Sequence, residues 1–130
     1  MKPPCMIVVQ YILPTIRVLI MKDLIQKHNI RKIDASKKME LTPAAITQYM
    51  KGERGKAFAD EITKSEKTMR IISDLAEALA RNDIPVENTI DKLCEACSII
   101  RAEGIICGLH KEKLPALKEC TCAICERSVC

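Results

Sequence analysis

Apolar positions along this chain recur at helical spacing for most of its length, and no stretch carries the period of two that marks a strand. After Pro3 and Pro4 comes a short apolar run, Cys5–Leu13. Pro14 fits the first turn of a second helix reaching about Lys27, with Ile16, Leu19, Ile20, Leu24 and Ile25 on one stripe. A short helix fits Ile33–Met39. Thr42 then reads as an N-cap with Pro43 at the first helical position, opening a helix to about Met50 that Gly52 and Gly55 end. Residues 55–64 are polar and mixed and read as a connection. A fifth helix spans Ser65–Arg81, its stripe formed by Met69, Ile72, Leu75, Ala76 and Leu79. Asn82-Asp83-Ile84-Pro85 breaks the chain. A sixth helix runs from about Val86 to Glu103 and stops at Gly104. Beyond it the pattern dissolves into Gly108, Pro115 and cysteines.

The expected fold class is therefore all-α. Residues 1–56 form a helix-turn-helix domain, 57–64 a linker, and 65–130 a helical, cysteine-rich module for dimerisation and for holding a metal or cluster. Nearly half of the 130 residues are apolar, so a core can form, but only Tyr11, Tyr49 and Phe58 are aromatic. That core is aliphatic, and stacking of bases on aromatic platforms has little to work with.

Charge divides the chain. Residues 1–56 carry 11 Lys/Arg against 4 Asp/Glu, a balance of +7, and residues 57–130 carry 10 against 13, a balance of −3. A basic front and an acidic back fit a polyanion-binding module joined to a sensing or assembly module. The apolar stretch Met6–Ile20 is interrupted by Gln10, Pro14 and Arg17, which makes a poor membrane span, and no small-residue cleavage site follows it. A cytoplasmic protein with no membrane partner is expected, where thiols stay reduced.

Within Arg31–Met50, RKIDASKKMELTPAAITQYM, two short helices meet at a tight turn and the second begins Thr-Pro, the layout of a helix-turn-helix. Ala35, Met39, Leu41 and Ile46 would pack the two helices together. The second would enter the major groove by its N-terminal end, presenting Thr42, Pro43 and Ala44, with Thr47, Gln48 and Lys51 further along. The Gln48 amide can pair bidentately with adenine, and the methyls of Ala44 or Thr47 can meet that of thymine. Lys37, Lys38, Lys51, Arg54 and Lys56 suit phosphate contacts, which position without specifying sequence. The bland alternative is a pair of ordinary bundle helices.

The segment resembles the lambda-repressor-like (Xre-type) helix-turn-helix family. More closely, it looks like a group of predicted archaeal transcriptional regulators that open with a Pro-Cys stretch and a long helix. The matching residues are Thr42, Ala44, Ala45, Ile46, Thr47 and Tyr49, followed by Lys51-Gly52-Glu53-Arg54-Gly55, and the resemblance covers about residues 3–56. It departs at Lys32, Ser36 and Glu40, where the family usually has Gln, Ala and Gly. A non-Gly residue held at positive φ costs roughly 1 kcal/mol, so the turn at Glu40 is open to reshaping, and with it the start of the second helix.

Seven of the eight cysteines fall in the last 37 residues: Cys94, Cys97, Cys107, Cys120, Cys122, Cys125 and Cys130. Thiolates are soft ligands and select zinc or iron–sulfur over magnesium or calcium. Zinc would use two CxxC pairs, Cys94/Cys97 and Cys122/Cys125, and leave Cys107 over. A [4Fe–4S] cluster would use Cys94, Cys97, Cys107 and one of Cys120, Cys122 or Cys125. The resemblance implies the cluster, because three cysteines at this spacing recur in the related sequences. His110 is a possible further ligand, though a lone loop histidine more often lies at the surface, and Cys5 reads as a buried apolar residue.

The expectation is a homodimeric regulator that binds a palindromic operator in double-stranded DNA and senses redox, iron or sulfur state through its cluster. The Pro14–Lys27 and Ser65–Arg81 helices are the candidate dimer elements. A structural zinc site is the alternative, and a thiol redox protein a further one. An enzyme is not expected: a CxxC redox motif normally sits in a βαβ context, and there is no paired acid and base or Gly-rich phosphate loop.

Overall fold

In the computed structural model, which describes residues 4–51, 58–82 and 84–113, the apolar N-terminal run does not break at Pro14. Helix α1 (Pro4–Ile7) passes through a π-helical turn (Val8–Ile12) directly into α2 (Leu13–Gln26). Pro14 therefore lies inside a continuous helix instead of starting one. Proline cannot donate a backbone hydrogen bond, and in a regular helix its ring collides with the carbonyl four residues back. The turn just ahead of it is wider: the Leu13 N–H reaches five residues back, to the Val8 carbonyl. That local widening accommodates the ring without ending the helix. The buried Thr15 hydroxyl donates to the Tyr11 carbonyl at 3.1 Å and so is satisfied within the same turn.

The continuous segment Cys5–Gln26 is, by length and composition, enough to cross a membrane, and half of it is buried inside the structure. Its apolarity has a local explanation. Ile7, Val8, Ile12, Ile16, Ile20 and Leu24 all enter the hydrophobic core, and a helix surrounded by neighbours is apolar on more than one face.

The remaining elements assemble around it. They are α3 (Lys32–Lys38), α4 (Pro43–Lys51), α5 (Ala59–Lys64), α6 (Glu66–Arg81), α7 (Val86–Ala102) and α8 (Cys107–Lys113). Among the described residues there is no strand, so the all-α expectation holds. Helix α6 lies along α2 and carries α7 on another side, α3 and α4 pack on α2, and α8 touches α1. One apolar core draws on both ends of the chain, joining α2 and Ala35 to Ile72, Leu75 and Ala76 of α6 and to Ile100 of α7.

Residues 59–64 are a helix, where the sequence reads as linker. A single apolar side chain holds it: Ile62 is fully buried in the core, while Asp60 and Glu61 in the first turn and Lys64 in the last suit the helix dipole. One buried residue in six leaves no periodicity to detect. Ser65 then caps α6. Its Oγ accepts from the Thr68 N–H at 3.4 Å, and lies 2.9 Å from Thr68 Oγ1 and 3.0 Å from Glu103 Oε1. A hydroxyl has one proton, so Ser65 donates to the carboxylate and accepts from Thr68. This contact, buried on the Ser65 side only, ties the start of α6 to the end of α7.

The expected stop at Gly104 is present. Gly104 has φ +74, its N–H bonds the Arg101 carbonyl at 3.0 Å, and the Ile105 N–H bonds the Ile100 carbonyl at 3.3 Å. These two bonds are the Schellman closure of a helix C-terminus. The chain stays structured from here to Lys113, with Ile106 fully buried and α8 following, while Pro115 and the later cysteines lie outside the described residues.

Candidate nucleic-acid interface

Helices α3 and α4 are joined by the same kind of closure. Glu40 stands at φ +55, its N–H bonds the Lys37 carbonyl at 3.2 Å, and the Leu41 N–H bonds the Ser36 carbonyl at 2.8 Å. The turn keeps the left-handed position that glycine would favour and places Glu40 in it. It is not reshaped, and α4 starts at Pro43. The cap is the expected one: Thr42 Oγ1 accepts from the Ala45 N–H at 3.1 Å.

Ala35 and Ile46 are fully buried between the two helices and α2, and Met39 and Leu41 are half-buried at the turn. Ser36 sits in this packed region as well, with its hydroxyl turned back to the Ile33 carbonyl at 2.6 Å. The outer side of α4 follows from that anchor. Ala44, Gln48 and Lys51 are all exposed, and their spacing of four and three residues puts them on one face. Thr42 and Pro43 are exposed at its N-terminal end. Thr47 is half-buried and its hydroxyl donates to the Pro43 carbonyl at 3.1 Å, which leaves its methyl and the acceptor side of its oxygen to offer a ligand.

The lysines separate. Lys37 is exposed, but Lys38 is half-buried and donates from Nζ to Asn82 Oδ1 at 2.6 Å, so it links α3 to the end of α6. A shallow depression of about 620 Å³ runs between these elements and gathers Arg31, Lys37 and Lys38 around Asn29 and Asp34. Arg31 Nε bonds Asp34 Oδ2 at 3.3 Å. Arg31 was passed over in the sequence because it precedes the first helix of the motif. Only the fold of the α2–α3 connection brings it beside Lys37. Arg54 and Lys56 lie outside the described residues.

The cysteines present a different picture. Cys94 and Cys97 stand one turn apart on α7, with Cys94 exposed and Cys97 only 5% exposed within the core. Cys107 opens α8 and is half-buried. Among the described residues, no three His, Cys, Asp or Glu side chains gather as they would around a metal ion. Cys120, Cys122, Cys125 and Cys130 lie outside the described residues.

Two expectations are corrected here. His110 is not a surface loop residue: it belongs to α8 and is 3% exposed, because α8 packs against α1 and carries His110 inward with Ile106. Cys5 is exposed on α1, and its neighbours Ile7 and Val8 supply the buried contacts instead. The helices expected to pair two subunits, α2 and α6, spend their apolar stripes on each other within one chain.

Compared with known proteins, the chain matches no family model, no curated protein and no solved structure.

Proposed function

We propose that this protein is a cytoplasmic, non-enzymatic transcriptional regulator that grips duplex DNA as a homodimer, with α4 as its recognition helix. The observation that supports this most is the contrast across α4. Ile46 is fully buried, while Ala44, Gln48 and Lys51 are aligned and exposed on one face. A helix anchored on one side and capped by a short polar residue at its N-terminus can enter a major groove end-on. In this arrangement Gln48 reads a base edge, and Ala44 and Thr47 offer methyl groups. Lys37 and Lys51, together with Arg31, contact phosphates. The two-fold partner would use a surface other than the α2–α6 contact.

Selection of duplexes from a random pool by the purified chain tests this proposal. Enrichment of an inverted repeat with half-sites about one helical turn apart is the expected result. Recovery of no sequence, with binding equal for all duplexes, would sink it.

The cysteine module is proposed to hold a [4Fe–4S] cluster, with zinc as the second reading. Thiolate chemistry supports both. Among the described residues Cys94, Cys97 and Cys107 do not gather around one centre, so holding the cluster requires these three to be drawn together as well as a fourth thiolate from Cys120, Cys122 or Cys125. Purification without oxygen, followed by iron, sulfide and zinc analysis, separates the two readings. A chain carrying neither metal under those conditions would remove both.

A further inference from the structure

The helix pair α3–α4 is held to the rest of the molecule unevenly. It packs chiefly on α2 and within itself, with Ala35 and Ile46 fully buried. The end of α3 and the start of α4 form one unit, because the Leu41 N–H bonds the Ser36 carbonyl and the Thr42 cap follows at once. On the side that faces α6 and α7 the packing is open. A cavity of about 400 Å³ lies there, between Met39 and Leu41 of the turn and Leu75, Leu79 and Leu93 opposite. Atoms that face a void lack contact partners on that side, so dispersion does little to fix the turn from this direction. A body packed on a single helix is free to rock about it unless a second contact, away from that axis, restrains it.

A polar contact crosses at the edge of this gap. Lys38, the last residue of α3, donates from Nζ to Oδ1 of Asn82, the residue that closes α6, at 2.6 Å, and both line the cavity. Lys38 is half-buried, whereas Lys37 beside it is exposed. Consecutive residues of a helix point about 100° apart, so the two lysines serve different surfaces.

We propose that Lys38 is a positioning residue for α4. Its bond to Asn82 sets the angle at which the α3–α4 pair stands on α2, and with it the aim of Ala44, Gln48 and Lys51. Lys38 then adds no phosphate contact, although its charge and its place in the motif suggest one. The consequence for binding rests on the DNA-binding proposal, whereas the strut itself does not.

Fluorescence anisotropy of the full chain on the duplex recovered from the random pool, at several salt concentrations, is the test. Lys38→Met keeps the length of the side chain and a good helix former. Asn82→Gly removes the acceptor and keeps the left-handed backbone. Each is expected to weaken binding about threefold to tenfold, as a change acting through position does, with the salt dependence unaltered. The double variant should bind no more weakly than either single one, since both remove the same bond. Lys37→Ala should instead lower the salt slope by about one unit, as a lost phosphate contact does. Without DNA, the backbone amide resonances of residues 44–51 should shift in both single variants, while those of residues 94–100 stay in place. If Lys38→Met lowers the salt slope by about one unit and Asn82→Gly binds like the parent, Lys38 is a phosphate contact and the proposal is overturned. Additive losses in the double variant overturn it as well. A parent chain that binds no duplex removes the DNA-binding proposal instead. The amide resonances then decide the strut, and α4 resonances unmoved by both substitutions overturn it.

Discussion

Lys38 Nζ donates to Asn82 Oδ1 at 2.6 Å, joining residues 44 positions apart. The bond connects the last turn of α3 to the residue that caps α6, and Asn82 itself stands at φ +55. Asparagine tolerates the left-handed region better than other non-glycine residues, so one side chain both ends a helix and secures its neighbour.

Two substitutions at that position separate the roles. Asn82→Ala should cost about 1–2 kcal/mol, since alanine is strained at this φ and the bond is lost as well. Asn82→Gly relieves the backbone and loses only an exposed hydrogen bond, so its stability should lie within about 0.5 kcal/mol of the parent. Urea unfolding of the pair is the measurement. Equal destabilisation would assign the effect to the bond and not to the backbone.

Glu40 occupies a glycine-like position with a side chain that is exposed. Glu40→Gly should therefore stabilise the fold, by about 0.5–1 kcal/mol, with the bond from Leu41 to Ser36 retained. A rise in the urea midpoint at constant slope would show it. A fall would mean that the Glu40 side chain has a compensating role.

The Ser65–Glu103 contact makes a stability prediction of its own. Ser65→Ala removes the cap of α6 and strips Glu103 of its donor, for an expected loss of about 1–2 kcal/mol. Glu103→Gln keeps an oxygen that can accept from Ser65 and should cost less than about 1 kcal/mol. If the two variants unfold alike, the Ser65 cap contributes little and the carboxylate charge carries the contact.

For DNA, Gln48→Ala is expected to relax discrimination at one base pair by about 1–3 kcal/mol while leaving others unchanged. Lys51→Ala or Lys37→Ala should weaken binding evenly across sequences and flatten the salt dependence by about one unit of slope. Fluorescence anisotropy at several salt concentrations distinguishes these patterns. A Gln48 variant with unaltered preference would place base recognition elsewhere.

Much of this fold was legible in the order of residues where the cause is local. Thr42-Pro43 announces a helix start because a hydroxyl two or three residues ahead of a free N–H can cap it, and Ala45 N–H takes that cap. Gly104 announces a stop because a left-handed residue closes the last turn. The stripe on α6 predicted the buried Ile72, Leu75 and Ala76 correctly. Even the departure at Glu40 was visible, although what the chain would do there was not.

What escaped depends on neighbours distant in sequence. Pro14 looks like a helix start because proline favours that position, yet the core on both sides of Cys5–Gln26 keeps the helix continuous and a wider turn absorbs the ring. Ile62 makes a helix out of a polar connection because α6 is there to cover it. His110 is buried because α8 meets α1 from the far end of the chain.

The sequence alone determined the helical class, the capped start of α4 at Thr42-Pro43, the stop of α7 at Gly104 and the buried stripe of α6, since hydrogen bonds within one turn and the spacing of apolar residues decide these. Only the tertiary structure decided which faces meet, and with them the burial of His110, the exposure of Cys5, the Lys38–Asn82 bond and the cavity beside the α3–α4 turn. These are properties of packing between remote segments, and a side chain's surroundings there are set by residues that its own neighbours in sequence do not specify.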